Sequence, residues 1–151
     1  MKHDTIVNKK YFTLSLLIYL LDAYTKYWII NHYQLHECRY ILPILNIVYI
    51  RNHGIAFNLF NDDNINHYTL YIISATSMIY IIYMILNIYK KKYNHYGYSF
   101  IISGGLGNLL NRLYYGFVID FIDIHINNWH MAVFNIADIS IILGIIFILI
   151  N

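Results

Sequence analysis

A run of 22 residues, Tyr68–Tyr89, carries no charged side chain. A helix needs about 20 mainly apolar residues to cross a bilayer, so this stretch constrains the fold more than any other. Three more stretches share its character with interruptions: Tyr11–Ile30, broken by Asp22 and Lys26; Tyr96–Tyr115, broken by Arg112; and Phe134–Ile150, broken by Asp138. Only 12% of the 151 residues are charged and 59% are hydrophobic, against about 25% charged in soluble domains. That composition excludes disorder. The single cysteine, Cys38, excludes a disulfide scaffold and a CxxC zinc cluster. Seventeen tyrosines and abundant Ile and Asn fit a drift toward A/T-rich codons. The sequence therefore predicts a single integral membrane domain over 1–151, of the all-α membrane class, with spans at about 11–30, 68–89, 96–115 and 134–150.

The basic residues set the orientation. Lys2, Lys9 and Lys10 precede the first span, and Lys90–Lys92 fill the turn between the second and third. Short cytoplasmic segments carry the excess of Lys and Arg, so both segments are expected inside, along with both termini. The lysines are consumed by topology, and the net charge of +2 implies no nucleic-acid partner. No small-x-small cleavage site follows the N-terminal lysines, so the first span reads as uncleaved. Segments 31–66 and 116–133 are then outside. Ile44–Arg51 and Val118–Ile124, rich in β-branched and aromatic residues, read as strands. Trp129 is placed at the headgroup level.

With that orientation the intramembrane polar residues converge at one depth. Asp22 and Lys26 lie toward the outer end of the first span, Asn108, Asn111 and Arg112 toward the outer end of the third, and Asn135 and Asp138 at the outer start of the fourth. Asp120 falls just outside the third span. Such groups are costly in lipid and face the bundle interior, paired or functional. Asp22 and Lys26, spaced i, i+4, read equally as a structural helix pair. Asn135–Asp138 also has the form of a helix cap with an acid at its third position. Gly104, Gly105 and Gly107 read as sites of close helix packing, and Asp123 and the eight histidines as wet surface residues.

Two carboxylates at one depth support three chemistries. They can hold a metal, although no His/Glu set stands at ligand spacing; they can relay protons in a small transporter; or they can form an aspartic dyad. In a dyad one proton is shared, because two close carboxylates do not both ionise. The ionised partner deprotonates water while the protonated one polarises a carbonyl.

At these residues the chain resembles the bacterial lipoprotein signal peptidases, also called signal peptidase II. The resemblance rests on five boxes in order: Leu21–Lys26, Arg51–Phe57, Gly104–Arg112, Gly116–Phe121 and Phe134–Asp138. It implies that Asp120 and Asp138 are catalytic, with Asp22, Lys26, Asn52, Gly54, Asn108, Asn111, Arg112 and Asn135 supporting the site or binding substrate. It implies four transmembrane helices topped by a small extracytoplasmic β-cradle, built from residues near 40–51 and 117–132, and a short amphipathic helix. The implied substrate is a prolipoprotein already diacylglycerylated on its cysteine, cleaved on the N-terminal side of that cysteine. The implied partners are the lipid bilayer and a globomycin-type inhibitor; no metal or organic cofactor is needed, and a monomer in the bacterial inner membrane, with its site near the outer leaflet, is expected. One departure stands out. The third box usually ends in Asp-Arg, whereas here it ends Asn111-Arg112. A degenerate, non-catalytic family member is therefore an alternative beside the transporter.

Overall fold

The computed structural model describes residues 2–53, 67–87 and 94–150. Gly54, part of the outer segment 31–66 and the Lys90–Lys92 turn lie outside the described residues. In chain order the elements are α1 (Lys2–His32), β1 (Cys38–Leu42), β2 (Leu45–Asn52), α2 (His67–Asn87), α3 (His95–Tyr115), β3 (Val118–Ile126), β4 (Trp129–His130) and α4 (Ile136–Leu149). The four helices carry a four-stranded antiparallel sheet of order β1-β2-β3-β4.

Local chemistry sets the boundaries that matter. Asn94 caps α3, its side chain accepting the Gly97 N–H at 3.1 Å. The same helix ends at Gly116, whose φ of 77° is left-handed and whose N–H closes on the Arg112 carbonyl. This turn drops the chain straight into β3. Asn135 caps α4 in a reciprocal box with Asp138, satisfying two of the amides that a helix start leaves without partners.

In the sheet, Asn52 pairs with Val118 and Ile50 with Asp120. Side chains alternate faces along a strand, so Asn52 and Asp120 point the same way. The opposite face presents Tyr49, Ile119 and Phe121 to Ile29 and Tyr33 at the end of α1. A second apolar cluster joins Ile81 and Met84 of α2 to Tyr98, Ile101, Ile102 and Leu109 of α3. Fully burying such a side chain stabilises by about 1.5–3 kcal/mol.

Glycines bring α3 and α4 into backbone contact. A Cβ on Gly97 would stand 2.8 Å from the Gly144 carbonyl oxygen, and one on Gly144 2.7 Å from that of Gly97. One on Gly104 would run into the Ala137 carbonyl. The packing role expected of the glycines is what Gly104 performs, and a Cβ on Gly105 would press on Ile81 of α2 at 3.1 Å.

One expectation holds in part, and another needs correction. Four helices are present, but among the described residues no helix is long and apolar enough to cross a membrane. In three of them the cause is visible: α1 is interrupted by Asp22 and Lys26, α3 by glycines, Asn108, Asn111 and Arg112, and α4 has 14 residues, or about 21 Å at 1.5 Å per residue. The sheet also takes the chain beyond a purely helical class. The correction concerns Asp123. Rather than being wet it is 5% exposed. Asn46 Nδ2 donates to it at 2.9 Å and His130 Nδ1 lies 2.9 Å from its Oδ1. Burial pushes its carboxyl up, but those two bonds and the nearby imidazoles outweigh burial and hold it below the usual range.

Candidate active site

Every oxygen of Asp120 and Asp138 accepts an amide hydrogen. Asn135 Nδ2 donates to Asp120 Oδ1 at 2.6 Å and Asn52 Nδ2 to Asp120 Oδ2 at 2.7 Å. Asn108 Nδ2 donates to Asp138 Oδ1 at 2.8 Å, and the Asn135 backbone N–H to Asp138 Oδ2 at 3.2 Å. One residue, Asn135, thus binds both carboxylates, one with its side chain and one with its backbone. Its own Oδ1 accepts the Asp138 N–H at 3.0 Å, which fixes the amide's orientation.

Elements distant in sequence supply these groups. The β2–β3 register places Asn52 beside Asp120, and the cap of α4 places Asn135 beside Asp138. Asn108, one turn before Arg112 on α3, reaches across to both: its Oδ1 also accepts from Asn135 Nδ2 at 3.2 Å. That oxygen in addition takes a hydrogen from Lys26 Nζ at 2.9 Å.

Lys26 leads to Asp22. The two form an ion pair at 2.8 Å with each side chain 1% exposed. Asp22 Oδ1 accepts the Ala137 backbone N–H at 2.8 Å, so an acid on α1 satisfies an amide in the first turn of α4. Anions are favoured at that end of a helix. Gly107 makes room for this arrangement, since a Cβ there would collide with Asp22 Oδ2. This contact with α4 has no signature in the chain, because spacing along one helix does not say which other helix faces it.

The remaining expected residues lie around this core. Asn111 Oδ1 accepts the Ile119 N–H at 3.3 Å, tying the end of α3 to the strand that carries Asp120. Arg112 stands within electrostatic reach of both Asp120 and Asp138. Gly54 falls outside the described residues. Asp120 is buried, and burial together with the Asp138 carboxylate raises its pKa to about 7, against the lowering influence of Asn52 and Asn135. Among the described residues no group of three or more His, Cys, Asp or Glu is placed to hold a metal ion.

Buried acids bridged by amides, one of them titrating near neutrality, form a site suited to sharing a proton and activating water. The chain is similar to known proteins over most of its length. The profile of the signal peptidase (SPase) II family matches residues 14–151. The lipoprotein signal peptidase of Wigglesworthia glossinidia brevipalpis is 44% identical over 135 residues, covering 89% of this chain and 88% of that protein. That of Buchnera aphidicola subsp. Baizongia pistaciae is 46% identical over 130 residues, covering 84% and 80%. That of Pasteurella multocida is 39% identical over 133 residues, covering 87% and 81%. A bacterial membrane enzyme solved by the in meso method at 1.9 Å resolution superposes with a TM-score of 0.77 at 28% identity, covering 94% of this chain and 91% of its own. The chain belongs to the signal peptidase II family.

Proposed function

We propose that Asp120 and Asp138 are the aspartic dyad of this peptidase, acting on a prolipoprotein whose cysteine carries a diacylglyceryl group. As a signal peptidase II the chain is a peptide hydrolase that removes signal peptides from prolipoproteins. The observation that carries the dyad is Asn135, which binds both carboxylates at once. Burial and the Asp138 carboxylate raise the Asp120 pKa to about 7, which suits the pair to sharing a proton near neutral pH. The ionised carboxylate takes a proton from water as its oxygen attacks the scissile carbonyl carbon. The protonated one donates to the carbonyl oxygen. Collapse of the tetrahedral adduct breaks the C–N bond, and the amine leaves with a proton returned by the pair. The two acids titrate as a unit. Arg112, within reach of both, offsets the negative charge that remains. Asn52 and Gly54 flank the peptide, and Asn108, Asn111, Asp22 and Lys26 hold the frame. A globomycin-type inhibitor occupies the dyad, and the working unit is a monomer.

The bilayer supports and orients this chemistry. Phe12, Leu16, Leu17 and Leu20 on α1, Ile72, Ile79, Ile82 and Leu86 on α2, and Ile142, Ile145 and Ile146 on α4 are exposed. Apolar surface of that extent marks a membrane or protein contact. In this reading four helices span the inner membrane, both termini are cytoplasmic, and the sheet carries the site at the outer leaflet. A reporter fused after Asn151 that is active only outside the cell would overturn that orientation.

The dyad is tested with Asp120→Asn and Asp138→Asn, assayed for conversion of a diacylglyceryl prolipoprotein to its shortened form. Each abolishes cleavage, and the double variant is hardly worse than either, because the pair acts as one unit. Asp123→Asn, on the other face of β3, retains cleavage. Near-normal processing by either dyad variant would refute the mechanism.

A further inference from the structure

A groove of about 500 Å³ opens between α1 and α3, on the far side of the wall formed by Lys26 and Asn111. Its floor runs from Tyr19 to Tyr27 along α1, about 12 Å at 1.5 Å per residue. Lys26 turns its ammonium away from the groove toward Asp22 and Asn108, so what the groove meets there is the aliphatic stem. Leu113, Tyr114 and Tyr27 are exposed along its rim.

At the sheet end, an aromatic ladder leads from the groove to a cation. Tyr115 stacks on Phe117 with ring centroids 5.8 Å apart, and the Arg51 guanidinium lies 4.8 Å from the Phe117 centroid. Arg51 Nε donates to Tyr49 Oη at 3.3 Å. Tyr27, Tyr49 and Tyr114 all lie within electrostatic reach of the Tyr115 hydroxyl. Arg51 is exposed, and among the described residues no carboxylate pairs with it, in contrast to Arg39, which holds Glu37 at 2.7 Å. A guanidinium pinned by stacking keeps its donor fork preorganised for a phosphate. Exposed tyrosines along the groove, Tyr27 and Tyr114, are of the kind that gathers at a bilayer's headgroup region.

We propose that this groove is a binding site for a bilayer phospholipid, with one acyl chain laid between α1 and α3 and its phosphate on Arg51. The proposal rests on the membrane placement above. The diacylglyceryl group of a prolipoprotein carries no phosphate and makes no demand for Arg51, so the occupant is a bilayer lipid rather than substrate. Bound there, the chain packs against the back of the wall whose other side holds Asn108 and, through it, Asp138.

The test uses the full chain in detergent, titrated with phosphatidylglycerol and with diacylglycerol of the same acyl chains, and bound lipid counted by native mass spectrometry. Wild type prefers the phospholipid by about tenfold, the scale of one charge-assisted contact. Arg51→Gln removes that preference, Arg39→Gln keeps it, and Ala23→Leu, which fills the groove, lowers uptake of both lipids. Equal binding of the two lipids by wild type, or an unchanged preference in Arg51→Gln, would overturn the proposal. So would Arg51-dependent binding of inorganic phosphate without lipid binding. Prolipoprotein cleavage by the same wild-type preparation reports separately on the dyad.

Discussion

Replacing Asp22 by Asn separates two roles that one carboxylate performs. The amide keeps an oxygen for the Ala137 N–H, now at 2.8 Å. It removes the charge facing Lys26, whose side chain is 1% exposed and 2.8 Å away, and it turns an N–H2 toward an ammonium. Asn108 remains to Lys26 as a neutral acceptor. The side chain has little room to withdraw, because Asp22 Oδ2 fills the space that a Cβ on Gly107 would need. Breaking a buried pair by removing one partner costs about 3–5 kcal/mol. At about 2–4 °C per kcal/mol for a chain of this size, the melting temperature falls by roughly 6–20 °C. The assay is thermal unfolding in detergent, followed by circular dichroism. The companion variant Asp22→Asn/Lys26→Met removes both charges and recovers most of the loss, since an apolar replacement of a buried pair is often neutral. A single variant within about 1 kcal/mol of wild type would refute the reasoning by showing that the pair is screened as a surface pair is. A double variant no better than the single would do the same.

Stability should depend on pH through Asp120. Its folded pKa of about 7 lies above the unfolded value of about 3.9, so between those values the folded state holds the extra proton and Asp120's contribution to stability falls as pH rises. Melting temperatures of wild type and Asp120→Asn measured from pH 4 to 8 should therefore diverge, and parallel curves would contradict the assignment. Cleavage should decline as pH rises past about 7, where the pair loses its shared proton. Asn111→Asp keeps the acceptor for the Ile119 N–H and adds a charge beside Arg112. It should raise stability by about 1 kcal/mol in thermal unfolding without loss of cleavage; a folded but inactive variant would show that the site depends on the amide.

What could be read from the sequence divides along physical lines. Asn135 and Asp138 are three residues apart at the start of an apolar run, so their cap follows from local chemistry, and the structure contains it. The strands around Ile44–Arg51 and Val118–Ile124 were equally legible, and they occur as Leu45–Asn52 and Val118–Ile126. The depth argument grouped Asp22, Lys26, Asn108, Asn111, Arg112, Asn135 and Asp138, with Asp120 just outside; Asp22, Lys26, Asn108, Asn135, Asp138 and Asp120 form one hydrogen-bonded network, while Asn111 accepts the Ile119 N–H. Depth carries no azimuth, however. It could not say that Asp22 reaches α4, or that Asn108 is shared between Lys26 and Asn135. Asp123 was misread for a related reason. Alternation along β3 sets it on the face opposite Asp120, but the fold-back of β4, which brings His130 to it, is a tertiary event with no periodic signal.

The donors that surround the carboxylate pair also bear on how such a gene can change. Asp and Asn codons differ by one G-to-A transition, the direction in which an A/T-drifting genome is pushed. At position 111 the amide still supplies the one acceptor that Ile119 asks for, and the change costs only the charge beside Arg112, about 1 kcal/mol. At position 138 it is not. One donor there is a backbone N–H, and the other, Asn108, is held in its orientation by Lys26. An amide nitrogen must therefore face a donor, at a cost of about 1–3 kcal/mol. At position 120 the facing donors are both side-chain amides, and on the proposed reading the main loss is the dyad's chemistry. The same mutation is thus penalised through folding at 138, through the proposed dyad chemistry at 120, and least at 111, where the chain carries Asn.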